Sequence, residues 1–76
     1  MRKQTIHYDS PADALVAVSK RLNQYETRYD LESEEFFNRY SQGVLADDAD
    51  FIEWANDYRH YLAIRSEVEK RLRDVA

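Results

Sequence analysis

Residues 36–61 read FFNRYSQGVLADDADFIEWANDYRHY, and the reading of this stretch decides the fold. It carries seven of the ten aromatic residues, the only Gly and the only Trp, together with a dense run of carboxylates. Phe36, Phe37 and Tyr40 supply the apolar face of a short helix, and Gly43 stands where a helix C-terminus favours a left-handed residue. Asp47 is placed to cap a following helix, with Asp50 three residues later able to reach back as in a capping box. Asp48 and Glu53 add negative charge where the helix dipole favours it. From there Phe51, Trp54, Tyr58, Tyr61, Arg65, Val68, Leu72 and Val75 recur at steps of three and four, which puts them on one face of a long helix. That face is aromatic at its start and aliphatic at its end, with one charged interruption at Arg65. Val44 and Leu45 are apolar in a turn and are expected to plug the junction between the two helices.

Upstream, Ser10, Pro11 and Asp13 form a helix start: a capping Ser, Pro at the first helical position, and an acid three residues after the cap. Leu15, Val18, Leu22, Tyr25 and Tyr29 follow at helical spacing, so the first helix should run from about Pro11 to Tyr29. Lys20, Arg21, Glu26 and Arg28 fall off that stripe and are expected to be solvated. Residues 30–32 break the pattern. Ser33 can cap a second helix of about ten residues, with Glu34 and Glu35 in its first turn. The third helix should run from about Asp48 to Asp74, with Lys70, Arg71 and Arg73 at the end where the dipole favours cations.

The expected fold is all-α: an antiparallel hairpin of helices one and three, with helix two packed in the elbow. Residues 1–9 read as an N-terminal arm and 10–76 as a single domain, small enough to bury only a limited share of its surface. At a rise of 1.5 Å per residue, helix three would be roughly 40 Å long and helix one roughly 28 Å. Helix one therefore cannot cover the whole seam of helix three, and self-association or partner binding is expected to use the remainder.

A single Gly and a single Pro leave little material for hairpin turns, which argues against an all-β chain. With no Cys there is neither a disulfide nor a thiolate metal site. No apolar run approaches the roughly 18 residues of a membrane span, and a cytoplasmic protein without membrane contact is expected. The net charge is −4, but its distribution is uneven: residues 1–24 sum to +2, residues 25–57 to −8 and residues 58–76 to +2. The acidic part coincides with the aromatic part, which suits a basic protein partner better than nucleic acid.

No Gly-rich phosphate loop, nucleophile motif or paired acid and base appears, so no catalytic residues and no cofactor are expected. Asp47, Asp48, Asp50 and Glu53 lack the ligand spread and central Gly of a calcium loop, and caps explain them. His7 and His60 have no partner at zinc spacing, so no metal is expected. The Trp54, Tyr58 and Tyr61 stripe could stack bases, but its surroundings would repel phosphates. The basic residues of the last helix alternate with Glu67, Glu69 and Asp74, as on a solvated face.

The run Leu31-x-Ser33-Glu34-Glu35-Phe36-x-x-Arg39-Tyr40-x-x-Gly43-x-Leu45-x-Asp47-Asp48-x-Asp50-Phe51-x-Glu53-Trp54-Ala55-x-x-Tyr58 resembles a family of small helical proteins encoded beside toxin genes in bacteria and archaea, antitoxins of the TumA kind. The resemblance covers roughly residues 25–61. Where the family often begins its middle helix with Met-Ser or Met-Thr, this chain has Leu31-Glu32. The resemblance implies a protein that binds and neutralises a cognate toxin, a ribonuclease, as one half of a type II pair.

Arg39, Asp48, Asp50, Glu53, Trp54 and Tyr58 are the candidate partner-binding residues. Two readings of them stay open on sequence alone. In one, the acids mimic phosphates toward a basic ribonuclease site. In the other, Trp54 and Tyr58 are core, the aspartates are caps, and Arg39 bridges helix two to the acidic start of helix three. A homo-oligomeric scaffold without a toxin is the alternative function, and a regulator that binds nucleic acid through its basic ends is a third.

Overall fold

The structure, a computed structural model, describes residues 10–75, with side chains through Asp74. The expected N-terminal arm and the side chain of Val75 lie outside the described residues. Three helices form: α1 (Pro11–Tyr29), α2 (Ser33–Ser41) and α3 (Ala49–Val75). α1 starts as its sequence dictates, with Ser10 in extended conformation and its Oγ accepting from Asp13 N–H at 3.2 Å. It ends on Asp30, whose left-handed backbone (φ 51°, ψ 51°) turns Leu31 N–H back onto the Glu26 carbonyl. Gly43, at φ 76°, takes the left-handed turn after α2.

The expected hairpin forms. Arg21 pairs with Asp57 at 3.3 Å and Arg28 with Asp50 at 2.9 Å, while the Tyr25 hydroxyl lies 3.5 Å from Glu53. Each step forward along α1 is matched by an equal step backward along α3, which fixes the two helices as antiparallel and in register. Arg21 and Arg28 thus tie α1 to α3 rather than standing free in solvent.

Trp54 is the centre of the elbow and touches all three helices. It is 0% exposed. Its indole stacks with Phe36 of α2 at 3.8 Å between centroids and with Tyr25 of α1 at 5.4 Å. Its Nε1–H donates to Ser33 Oγ at 2.9 Å, so the one polar atom of the ring is paired inside the core. Leu22 and Ala55 complete the buried cluster, with Phe51, Tyr58 and Leu45 packed around it. Below the elbow the seam narrows to aliphatic contacts through Val18 and Ile64.

Several local expectations are corrected. The cap of α3 is Asp48, not Asp47: Asp48 Oδ1 accepts from Asp50 N–H at 2.9 Å, and its carbonyl accepts the first helical bond from Ile52. Two adjacent aspartates offer the same chemistry, and only the helix register chooses between them. Asp50 does not close a capping box either; its carboxylate is taken by Arg28 and Tyr29. Ser33 is the first residue of α2 rather than its cap. Its backbone N–H is instead capped from α1 by Glu26 Oε2 at 2.9 Å, so Glu26 is not a freely solvated residue.

Arg65 does not interrupt the seam. It is exposed and reaches Glu69 at 3.4 Å, while Ile64, 9% exposed, takes the inward position. Once α2 ends, only α1 packs on α3, and the buried stripe rotates toward α1. Leu45 plugs the junction as expected, but Val44 is 65% exposed. α1 also covers more of the seam than its length suggested: Pro11 and Ala12 lie beside Val68 and Leu72, leaving only the last turn of α3 overhanging.

Candidate protein-binding surface

The residues singled out from the sequence separate into two groups. Trp54, with no exposed surface, can touch no partner while the core is closed. Asp50 is bound by the Tyr29 hydroxyl and by Arg28, and these contacts, the tyrosine first, hold its carboxyl below the ordinary carboxylate range. The same bond pushes the Tyr29 phenol up. Arg39 does not bridge to α3; it pairs with Glu35 at 2.9 Å, one turn earlier in α2, because that acid lies at the favourable helical spacing. Trp54 and Asp50 thus serve the fold, whereas Arg39, exposed in a pair confined to α2, stays accessible.

Asp48, Glu53 and Tyr58 remain accessible in whole or part. Asp48 is exposed although it caps α3, since one carboxylate oxygen makes the cap. Glu53 is exposed on the flank of the hairpin, with the Tyr25 hydroxyl at the limit of hydrogen-bonding distance. Tyr58 is half-buried, with Phe37 at 5.1 Å and Tyr61 at 5.8 Å between ring centroids. Burial, followed by the charge of Glu34, pushes its phenol above the usual range.

The fold also builds a feature that the spacing along α3 does not reveal. Where α2 begins, a hollow of about 350 Å3 opens between α1 and α3, lined among others by Glu26, Glu32, Glu34, Tyr58, Tyr61 and Arg65. Three carboxylates from α1 and the start of α2 meet two aromatic edges from α3. Among the described residues, neither Glu32 nor Glu34 has an ion-pair partner. No sequence signal marks this site, because it exists only through the crossing of α2 over the hairpin. Among the described residues, no group of three or more His, Cys, Asp or Glu side chains is arranged to hold a metal ion. No helix of the described residues is long and apolar enough to cross a membrane.

The closed end of the hairpin therefore carries most of the exposed negative charge, over a core that has taken the aromatic rings inside. No family model matches the chain, and no curated protein or solved structure matches it either.

Proposed function

We propose that the chain acts by binding another protein, as an antitoxin that neutralises a cognate toxin in the cytoplasm. The observation that carries this reading is the separation of charge and aromatic surface. The acids of residues 25–57 crowd the elbow and many stay exposed there, whereas Trp54 and Phe36 are buried. Such an end suits a ribonuclease, whose RNA site must be basic. The motif's resemblance to antitoxins of the TumA kind supports the same reading. Contact falls to Asp48, Glu53 and the edge of Tyr58, with Arg39 exposed on α2 and Trp54 and Asp50 holding the elbow that carries them. The reading involves no reaction and no cofactor.

Co-expression with the adjacent small reading frame tests it. The neighbour is expected to be toxic alone and harmless with this chain. Equal toxicity in both cases would refute the reading. Asp48→Asn with Glu53→Gln, which keeps a capping side chain on α3, should slow association and weaken its salt dependence.

A second reading, a homo-oligomeric scaffold, is favoured by a different observation. Leu62 and Leu72 are 39% and 63% exposed on α3 below the elbow, where α2 gives no cover. Self-association along that half of the hairpin is compatible with either function.

A further inference from the structure

We propose that two copies of the chain close on each other antiparallel about a twofold axis, the uncovered half of one hairpin against the same half of the other. In this arrangement Arg73 of each copy enters the acidic hollow of its partner. The proposal deepens the self-association reading above and rests on it; it does not depend on a toxin.

The face comes from helical spacing. Leu62, Arg65, Glu69 and Arg73 follow at steps of three and four on α3, a mainly charged row with Leu62 exposed in it, while Leu72 lies at its border beside Pro11 and Ala12 of α1. Arg65 lines the hollow beneath α2, so this row is the flank of α3 on the α2 side. Above the hollow, α2 covers that flank; below it, nothing in the described chain does. A nine-residue α2 beside a 27-residue α3 leaves roughly eighteen residues, or about 27 Å, of hairpin face open.

A twofold axis across the middle of that length would lay the two open halves together as a four-helix layer. Each α2 would then flank the other copy's open end. An axis near Ser66 places the level of Arg73 in one copy beside the level of Tyr58, Glu34 and the hollow in the other.

Charge selects this antiparallel arrangement over a parallel one. Glu26, Glu32 and Glu34 face the hollow from α1 and α2; Arg65 faces it from α3 but is engaged by Glu69 at 3.4 Å. The upward push that Glu34 and Glu26 add at the Tyr58 phenol reports the negative potential there. At the opposite end Arg71 is paired with Glu67, while Lys70 and Arg73 have no ion-pair partner among the described residues. A parallel pair would set the three glutamates of each copy against their equivalents. The antiparallel pair sets them against Arg73 of the other copy, beside the edges of Tyr58 and Tyr61, a setting in which a planar guanidinium can meet carboxylates.

Sedimentation of the full chain at micromolar concentration tests the proposal, with far-UV circular dichroism to verify helicity. The wild-type chain is expected to dimerise. Arg73→Glu alone, and Glu32→Lys with Glu34→Lys in a second variant, should each raise the dimer dissociation constant by about tenfold or more, through like charges at both contacts. Mixing the two variants should restore the dimer, because in the mixed pair both contacts again join opposite charges. A wild-type monomer throughout would overturn self-association altogether. Reversed variants that dimerise as well as the wild type, or a mixture that stays monomeric while both remain helical, would overturn this geometry and leave the antitoxin reading to its own test.

Discussion

Ser33→Ala is the substitution that most directly interrogates the core. It removes the oxygen to which the Trp54 indole donates at 2.9 Å. Trp54 is 0% exposed and Ser33 3% exposed, so water has no route to replace that acceptor. A buried donor left without a partner costs about 1–3 kcal/mol. Working the other way, Ala is the better helix former by about 0.5 kcal/mol. The backbone bond from Ser33 N–H to Glu26 is untouched. A net loss of about 1–2 kcal/mol follows, or about 4–16 °C in Tm for a domain of this size. Urea unfolding followed by circular dichroism and by Trp54 fluorescence reads the loss. The control is the same substitution in a Trp54→Phe background, where the donor is already gone. There Ser33→Ala should be neutral or mildly stabilising, giving a coupling of about 1 kcal/mol or more. A wild-type-like Ser33→Ala, or equal losses in both backgrounds, would refute the account of how the three helices are joined.

Three further outcomes are expected. Asp48→Ala should lose about 0.5–2 kcal/mol while Asp47→Ala and Asp48→Asn lose much less, measured by thermal unfolding; a larger loss at Asp47 would overturn the assignment of the cap. Asp30→Gly should raise stability by up to about 1 kcal/mol, because the left-handed backbone at Asp30 strains any residue with a Cβ; a destabilised variant would contradict it. Finally, the phenols of Tyr25, Tyr29 and Tyr58 are all raised above 10.0 in the folded chain. The folded state thus holds those protons more tightly, and the stability they contribute is present below pH 10 and lost as pH rises through the raised values. Denaturation midpoints should fall on going alkaline, and Tyr58→Phe should flatten that fall; an unchanged slope would sink the prediction.

The helices were legible because each carries its own punctuation. Ser10-Pro11 begins the first, Gly43 marks the turn after the second, and the stripe from Phe51 to Val68 requires a long third. The aromatic cluster followed from the same spacing. What could not be read depends on how helices meet. Glu26 looks solvated on its own helix, yet it caps α2, because the Schellman turn at Asp30 brings Ser33 N–H beside its carboxylate. Ile64 and Arg65 fit the periodicity equally well, and the direction from which α1 packs decides between them. Asp50 reads as a cap or a binding acid until the antiparallel register sets it against Arg28 and Tyr29. The hollow beneath α2 has residues from all three helices and no local signature at all.

The confinement of every ring contact among the described residues to the span from Tyr25 to Tyr61 makes the two ends of the hairpin unequal in local stability. At one end, stacked rings and a paired indole lock three helices together; at the other, α1 and α3 meet through a few aliphatic side chains. Partial opening should therefore start at the N-terminus of α1 and the C-terminus of α3 and run toward the elbow. Amide protons around Val68 should exchange with solvent well before those around Trp54, which wait for global unfolding. A protease should likewise nick the open end first. Any copy that associates along that half holds shut the segment that opens most readily, so slowing of exchange near Val68 with rising protein concentration would measure association at its site of action.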